Sequence, residues 1–596
     1  MVSAGALRFP GILEEMGEAL RHRGPDGRAT FTEPHARIGT ARLRIIDLHE
    51  RADQPFASPD NAVWLEANGE IYNTNDLRRR YSGYPFRSES DVESILPLYL
   101  DLGPRGVAEL DGMFGLAIWD DRKKTLLLAR DRAGEKPLFY ARIGSEIVFA
   151  SELQCLLQHP DIPRDLDLEA LSGYLALGYI TEPHTPFAAI RRVPAGTYML
   201  FTEHGEQTVR YWDPSAFTPE PVAARDAILE TQRLIENAVA KQVQSDVPIG
   251  VFISGGLDSS ILATLATNII GRQRVHTFSA QFAEESYDES GDAAVLARRI
   301  GTRHVPVRAD ETTLLDALHN VTERIAEPLA DPAILPTFLL ARAAREHVTV
   351  VLSGEGADEL FGGYPTYLGH KLAPRYQALP LLVRKGVRGL AHALPASGKK
   401  VTLEFLLKRF VADVERPWSE RHLRWFGTGL GAALPELEIS QGDPLAAAML
   451  LDYRSYLRDN LLVKVDRATM LSSIEARAPF LDREVSAFAL SLPSDMRVRR
   501  MTTKWVLKKA AEKWLPHDVI YRRKRGLSVP TATWINGGLR SEVDRLLAPE
   551  RLRAMPLFDE PHITRLLAEH RSGQANHTRA LWAVLMLQYW LERWAR

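Results

Sequence analysis

The pattern of apolar and polar positions divides the chain into parts of different character. Up to about residue 212, short apolar runs such as 115–119 and 125–129 recur between turns rich in Gly, Asp, Asn and Pro, which predicts β-strands. Two stretches with helical periodicity, near 12–22 and 92–102, interrupt these runs. The mixture predicts layered sheets with helices packed outside them.

The second part of the chain has a different rhythm. The proline-rich stretch 213–222 has no periodicity and predicts a linker, which puts one domain at 1–212 and another at 223–596. Apolar runs such as 247–253 then alternate with amphipathic helices to about residue 361. This alternation predicts a parallel sheet covered by helices on both faces, and the pattern after it is nearly all helical.

The composition limits the class of protein. The 596 residues allow two to four domains at roughly 150 residues each, and the net charge of −2 argues against a general affinity for nucleic acid or anionic lipid. The one cysteine, Cys155, excludes an internal disulfide and a multi-cysteine metal site. Because we find no apolar run of about 18 residues and no signal-peptide pattern, we expect a cytoplasmic enzyme that does not enter the membrane.

The first chemical motif, SGGLDSS at 254–260, comes directly after the apolar run 247–253. Glycines at this place let backbone N–H groups surround an anion, and the serine hydroxyls and the following helix N-terminus add to the attraction. Asp258 would repel a phosphate unless Mg²⁺ bridges the two groups. The motif therefore predicts metal-bound phosphates at the C-terminal end of a parallel sheet, although a glycine turn capped by serines would have the same pattern. It lacks the Gly-Lys-Ser/Thr ending of a Walker P-loop.

A second loop has the same construction. The apolar run 348–352 ends in SGEGADELFGGY at 353–364, which places Glu355 and Asp358 between glycines. Alone, these carboxylates could cap a helix N-terminus. Together with the first loop they predict a shared crevice for a nucleotide and a metal.

Both loops resemble those of the asparagine synthetase B family. Further segments resemble that family in order: RHRGPDG at 21–27, NGEIYN at 68–73, EPLADP at 327–332, LVKVDR at 462–467, EARAPFLD at 475–482, TKWVL at 503–507 and the basic stretch 522–530. The resemblance implies a two-domain α/β protein, with an N-terminal αββα sandwich of the N-terminal-nucleophile glutaminase type. It implies a C-terminal parallel-sheet domain of the ATP-pyrophosphatase type with a helical C-terminal part, in which 462–467 and 475–482 are helical signatures.

The resemblance also implies a reaction that uses ATP and Mg²⁺. A substrate carboxylate would be activated as acyl-AMP with release of pyrophosphate, and an amine would then form the amide. Lys504 is expected to contact the acyl-adenylate and the phosphates, and Glu355 to orient the amine or take its proton. The residues expected to bind ATP and pyrophosphate are Ser254, Gly255, Gly256, Asp258, Ser259, Ser260, Ser353 and Gly354, and those expected to hold Mg²⁺ are Asp258 and Asp358. The charged residues of 464–467 favour an ion-pair network over catalysis.

In the first domain the resemblance implies a glutamine pocket without its nucleophile. Alignment on residues 4–5 places Met1 where the family has a cysteine, and a thioether cannot form the thioester that releases ammonia. Cys155 lies among leucines, which predicts a buried core thiol. We therefore expect the domain's own glutaminase activity to be absent. The remaining pocket residues would be Arg42 for the glutamine carboxylate, Asn68 and Gly69 for the oxyanion, and Glu70 and Asp91 for the amine.

The source of the amine stays open at this point. It could be free ammonia, ammonia from a separate partner glutaminase, or an amine on a small-molecule or peptide substrate itself, as in the family's β-lactam synthetases and lasso-peptide cyclases. The missing nucleophile favours the first or the last of these, while the retained pocket residues argue mildly against a cyclase. A non-catalytic regulatory protein is the alternative of another class. A homodimer is expected only by analogy with the family.

Overall fold

The computed structural model describes residues 2–3, 9, 11–394, 403–431, 443–522, 527 and 529–595. The first part of the chain forms antiparallel sheets from β1 (Val2–Ser3), β2 (Gly27–Thr32), β3 (Arg37–Arg42), β4 (Phe56–Ala57), β5 (Val63–Ile71), β6 (Gly112–Asp120), β7 (Thr125–Arg130), β8 (Phe139–Ile143), β9 (Glu146–Ala150), β10 (Ile190–Arg192), β11 (Thr197–Thr202) and β12 (Gly205–Arg210). One sheet has the order β1-β9-β8-β10 and the other β12-β11-β7-β6-β5-β4, while β2 and β3 form a separate hairpin.

The alternation of side chains along β7 explains how these sheets stack. Leu126 and Leu128 pack into the core between the two sheets, whereas Leu127 and Ala129 point to the outer face, because successive side chains of a strand point in opposite directions. Helices cover both outer faces: α1 (Ile12–Ala19), α2 (Thr74–Arg80), α3 (Ile95–Leu102), α4 (Leu153–Leu156) and α5 (Leu168–Leu177). The predicted αββα sandwich is therefore confirmed.

The second part contains the predicted parallel sheet. Its strands are β13 (Ile249–Phe252), β14 (His276–Phe282), β15 (Arg303–Ala309), β16 (Val350–Leu352) and β17 (Glu475–Arg477), in the order β15-β14-β13-β16-β17. Strands β13 and β16 are neighbours, with Val251 opposite Leu352. The two glycine-rich loops consequently leave the sheet side by side at its C-terminal edge, where parallel sheets bind ligands.

The helices of this part lie around the sheet and continue beyond it. They are α6 (Ala224–Gln242), α7 (Leu257–Ile270), α8 (Ser290–Ile300), α9 (Glu311–Arg324), α10 (Ile334–Ala344), α11 (Ala357–Phe361), α12 (Pro365–Gln377), α13 (Leu381–Ala393), α14 (Leu403–Asp413), α15 (Trp418–Phe426), α16 (Pro444–Asp452), α17 (Leu462–Met470), α18 (Arg483–Ser491), α19 (Ser494–Arg497), α20 (Trp505–Ala511), α21 (His517–Ile520), α22 (Thr531–Asn536), α23 (Arg540–Leu546), α24 (Pro549–Arg553), α25 (Glu560–Arg571) and α26 (Thr578–Trp594). A π-helical segment, Tyr453–Leu461, joins α16 to α17. In the part of the chain that is described, no helix combines the length and the apolar character needed to cross a membrane.

One expectation about this part is wrong. The segment 475–482 was expected to be helical, but its start is strand β17, which pairs in parallel with β16, and a short 3-10 turn at Pro479–Leu481 follows. The edge of β16 offers backbone partners to this segment, and such pairing outweighs a local helical preference.

The two parts are joined by buried ion pairs. Arg23 donates to Asp466 at 2.8 and 2.9 Å, and Arg192 contacts Glu327 at 2.6 Å and Asp459 at 3.1 Å. Arg467 also reaches Glu327, at 2.6 Å. The ion-pair interpretation of the charged run 464–467 is therefore confirmed.

Candidate active site

A lysine joins the two glycine-rich loops at the edge of the parallel sheet. Lys504 Nζ lies 2.7 and 2.6 Å from the carboxylate oxygens of Asp258 in the first loop, and 2.6 Å from Asp358 Oδ1 in the second. Burial favours the neutral amine, but the charges of the two carboxylates outweigh it and raise the pKa of Lys504. The side chain is therefore a buried ammonium that bridges the two loops.

The backbone around this lysine is shaped to allow the contact. Lys504 itself has a φ of +52°, which is uncommon for a residue with a side chain. A Cβ on Gly363 would lie 1.7 Å from Asp358 Oδ1 and 2.3 Å from Lys504 Cε, so only glycine fits there. Gly363, near the end of the motif 353–364, thus lets the Lys504 ammonium come close to the Asp358 carboxylate.

The first loop is held by hydrogen bonds within itself. Ser260 Oγ donates to the carbonyl of Gly256 at 2.6 Å, and Ser259 Oγ accepts from the backbone N–H of Ser254 at 3.2 Å. Gly255 has a φ of +69°, and a Cβ there would lie 2.8 Å from Asp292 Cβ. Because α7 begins at Leu257, its N-terminal N–H groups face the same loop. The predicted phosphate-binding residues are therefore brought together, although Ser260 uses its hydroxyl for the backbone.

A second charge cluster lies beside the first. Lys464 Nζ is 3.4 Å from Glu355 Oε1 and 3.6 Å from Asp331 Oδ2. Burial raises the pKa of Glu355, and the charge of Lys464 opposes that rise. Ser353 and Gly354 directly precede Glu355 of this second cluster. Gly354 also lies against the first cluster, since a Cβ on it would lie 3.2 Å from Asp258 Cβ. Asp331 lies within the EPLADP segment, but nothing in the sequence alone placed it against Glu355.

The chemistry of these side chains fits a magnesium ion that is shared with phosphates. Asp258 and Asp358 supply oxygen donors close enough for one ammonium to reach both. The described residues contain no group of three or more His, Cys, Asp or Glu side chains able to hold a metal alone. Mg²⁺ often needs only one or two carboxylates when substrate phosphates complete its shell. Asp258 and Asp358 would be its protein ligands.

Comparison with known proteins assigns both parts of the chain. Residues 230–592 match the family model described as asparagine synthase, and residues 5–212 match that of a glutamine amidotransferase domain. The chain belongs to the asparagine synthase family. It is therefore an ATP-dependent ligase that forms a carbon–nitrogen bond, with a carboxylate substrate and ammonia or another amine as donor.

Relatives of this asparagine synthase family member match over nearly the full length. It is 31% identical to asparagine synthetase [glutamine-hydrolyzing] 1 of Bacillus subtilis, over 97% of this chain and 93% of that protein. It is 36% identical to a putative asparagine synthetase [glutamine-hydrolyzing] of Mycobacterium bovis, over 96% and 92% of the two chains. The solved structure of glutamine phosphoribosylpyrophosphate amidotransferase from B. subtilis covers 51% of this chain and 80% of its own, at 14% identity and a TM-score of 0.27, which adds nothing to the assignment.

The amidotransferase part contains a cavity of about 420 Å³. All five residues predicted for a glutamine pocket line it: Arg42, Asn68, Gly69, Glu70 and Asp91. Two of them already have strong protein partners, because Glu70 pairs with Arg477 of the synthetase part at 2.8 Å and Arg42 pairs with Asp53 at 2.7 Å. Burial raises the pKa of Asp91 to about 6. The cavity thus keeps its polar lining, and one of its acids, Glu70, is paired with an arginine of the synthetase part.

The cysteine at this cavity is unsuited to nucleophilic attack. Cys155 is fully buried, its Sγ donates to the carbonyl of Met16 at 2.9 Å, and burial raises its pKa well above the ordinary value. A thiol in this state holds almost no thiolate at neutral pH. The position of Met1 lies outside the described residues.

A buried carboxyl in the same cavity predicts a pH effect on stability. Burial raises the pKa of Glu66 to about 8, and its Oε2 accepts no hydrogen bond from a described residue. The group is ionised above about pH 4.5 when unfolded but protonated up to about pH 8 when folded, so the protein loses stability as pH rises through this window. Glu66→Gln removes this loss. The melting temperature of the variant minus that of the parent is therefore expected to increase from pH 5 to pH 8.

Thermal unfolding at pH 5, 6.5 and 8 checks this expectation. The exposed Glu33, for which Glu33→Gln is the matched change, serves as control and should show the same difference at every pH. A Glu66→Gln difference that does not change with pH would contradict the assignment.

Proposed function

We propose that this enzyme activates a substrate carboxylate as acyl-AMP, releases pyrophosphate and transfers the acyl group to an amine. The observation that carries the proposal is the Lys504 bridge between Asp258 and Asp358, which come from different loops at one sheet edge. Two carboxylates would repel a bare phosphate, whereas a triphosphate loaded with Mg²⁺ would find metal ligands and an ammonium there.

The protein's part in the first step is to stabilise negative charge on the leaving pyrophosphate. Bound Mg²⁺ would act as a Lewis acid toward phosphate oxygens. The backbone N–H groups of Gly255 and Gly256 and the N-terminus of α7 would donate to the same oxygens. Lys504 would turn from the carboxylates toward the charge that develops on the phosphates. A carboxylate is a poor electrophile, and its conversion to a mixed anhydride with AMP gives it a good leaving group.

The second charge cluster suits the amide-forming step. An ammonium ion cannot attack, so a base must remove or hold a proton of the amine. Glu355 lies next to the phosphate cluster, is paired with Lys464, and has a pKa raised by burial, which makes it a better proton acceptor than an ordinary carboxylate. We assign it to orient the amine and accept its proton.

We further infer that the amine is not released from glutamine by this chain. Cys155 is the one cysteine of the sequence, and its burial and its hydrogen bond to Met16 argue against a thiolate. Free ammonia, a separate glutaminase or an amine of the substrate would then supply the nitrogen. The cytoplasmic location and the homodimer stay predictions.

Two assays on the purified protein test the proposal. ATP–pyrophosphate exchange over a panel of carboxylic acids should proceed with at least one acid. With that acid, ammonium chloride should support amide formation, glutamine should give less than about one-hundredth of that rate, and Cys155→Ala should change neither result. A product that has lost one water without added amine would assign the nitrogen to the substrate itself.

Two results would contradict the proposal. Absence of exchange with every acid would argue for a non-catalytic protein. Glutamine-driven amide formation with stoichiometric glutamate would overturn the inference about the amidotransferase domain.

A further inference from the structure

The helix α13 and the residues just before it expose a cluster of apolar side chains. Of the fifteen large apolar side chains that are exposed in the described part of the chain, six lie in this short stretch: Leu379, Leu381, Leu382, Val383, Val387 and Leu390. Leu382 is 82% exposed and Leu390 is 71% exposed. Single exposed leucines are ordinary on a protein surface, whereas a contiguous apolar patch of this kind marks an interaction surface.

The helix is attached to the described residues by one side. Ala391 is buried, and the Arg384 guanidinium pairs with Glu415 at 2.9 Å. Residues 384 and 391 lie on the same side because they are two helical turns apart. Gly386 and Gly389 lie on other sides, and a Cβ on either would have no neighbouring atom outside the helix backbone within 4 Å. The helix is therefore open over most of its circumference.

The open sides of α13 have two characters. One side carries apolar residues at helical spacings of four and three: Val383, Val387 and Leu390. Another side carries basic residues at spacings of three and four: Lys385, Arg388 and His392. The helix contains no Asp or Glu, and within the described chain neither Lys385 nor Arg388 forms an ion pair. This surface is therefore positive, although the whole chain has a net charge of −2.

An anionic lipid surface fits this pattern. A helix with leucines on one side and Lys or Arg on the other lies in the plane of a bilayer interface, where the apolar residues enter the acyl boundary and the basic residues attract lipid phosphates. With 13 residues, α13 is too short to span the bilayer and would lie on its surface.

Two other occupants fit less well. A second copy that paired through the apolar side of α13 would bring like charges together, with no acidic residue on either helix to compensate them. A groove of another protein covers one face of a helix. Here Leu381 is exposed on the side of Lys385, four residues away, so the apolar exposure at the start of α13 is not confined to one face.

We propose that α13 docks the enzyme on a membrane that contains anionic lipids. Leu382, Val383 and Leu390 would enter the acyl boundary, and Lys385 and Arg388 would contact the phosphates. The inference does not depend on the proposed function, because α13 takes no part in the two charge clusters. It is joined to the second glycine-rich loop through α12, which has 13 residues and is about 20 Å long.

Vesicle flotation of the full-length protein tests the proposal. Vesicles of phosphatidylcholine alone are compared with vesicles that also contain about 30% phosphatidylglycerol. We expect the parent to bind the anionic vesicles about 30-fold more tightly than the neutral ones, and to lose most of this difference at about 0.5 M NaCl.

Variants of α13 should weaken this binding without affecting the fold. Leu382→Gln combined with Leu390→Gln should lower the affinity for anionic vesicles by about 30-fold or more. Lys385→Gln combined with Arg388→Gln should lower it by about 25-fold, and the affinity for neutral vesicles should change less than threefold. Because all four side chains are exposed, the melting temperatures and the rate of ATP–pyrophosphate exchange without vesicles should match those of the parent.

Matched changes elsewhere on the surface serve as controls. Leu229 in α6 is 52% exposed, and Arg298 and Arg299 are exposed in the last turn of α8. Leu229→Gln, and Arg298→Gln combined with Arg299→Gln, should bind vesicles as the parent does. A fluorophore sensitive to polarity, attached to Leu382→Cys in a Cys155→Ala background, should shift its emission to the blue on anionic vesicles, and the same label at Leu229→Cys should not.

Three results would overturn the proposal. The first is absence of binding to anionic vesicles at low salt; a solution dimer that Leu382→Gln with Leu390→Gln dissociates would then identify a second copy as the occupant. The second is binding that the α13 variants retain, or that the Arg298→Gln, Arg299→Gln control loses instead. The third is equal binding to both kinds of vesicle, because Lys385 and Arg388 would then not be recognising anionic lipid.

Discussion

Replacing Lys504 with methionine is expected to lower carboxylate-dependent ATP–pyrophosphate exchange by about 10²- to 10³-fold. The side chain reaches Asp258 and Asp358 with bonds of 2.6–2.7 Å, so it is the cation placed between the two predicted metal ligands. Methionine fills a similar volume but supplies no charge to the phosphates. It also leaves the carboxylates to face each other without the ammonium, which raises the energy of the ATP-free site.

The helix that follows Lys504 offers a control for this variant. Lys509 lies in α20 and pairs at 2.7 Å with Glu512 in a largely solvent-exposed salt bridge, so Lys509→Met should keep exchange within about twofold of the parent. Thermal unfolding of both variants checks that the fold is kept. If folded Lys504→Met exchanged within tenfold of the parent, the bridge would have a structural role and the catalytic assignment would be wrong.

Periodicity predicted the elements that place the site but not their contacts. The apolar runs 247–253 and 348–352 are strands β13 and β16, and the motifs do follow them directly. That these strands are neighbours depends on sheet order, which no local pattern contains. Lys504 and Asp258 are 246 residues apart, and the sequence joined them only through a resemblance. A long-range pair of this kind is fixed by tertiary packing.

The residues that sequence reasoning missed lack local signals. Asp331 lies in the segment 327–332, where nothing local predicts a contact with a lysine of α17. It meets Lys464 only because α10, which begins just after Asp331, and α17 come together in the fold. The helix predicted at 475–482 was wrong for the same reason, because the strand there forms through its pairing with β16. Such features could be found from sequence only with information on which segments touch.

The interface between the two parts should be the most sensitive point of the fold. Arg192→Met is expected to lower the free energy of unfolding by about 3 kcal/mol, because it removes one cation from each of two buried carboxylates of the other part. Arg192 lies 2.6 Å from Glu327 and 3.1 Å from Asp459, and all three side chains are less than a tenth exposed. Glu327 keeps Arg467 and Asp459 keeps Arg458 as partners, which holds the loss near the lower end of the range for broken buried pairs.

Arg191 is the control, because it is next to Arg192 in sequence but is much more exposed. Arg191 pairs with Asp167 at 3.3 Å and its side chain is 36% exposed, so Arg191→Met should cost less than about 1 kcal/mol and less still at high salt. Denaturant unfolding and limited proteolysis of the 213–222 segment are measured on both variants, since a weakened interface lets the two parts separate before either unfolds. Equal, small effects of the two changes would mean that Arg192 does not hold the two parts together, because a buried arginine that can be lost without cost was not compensating the charges it faces.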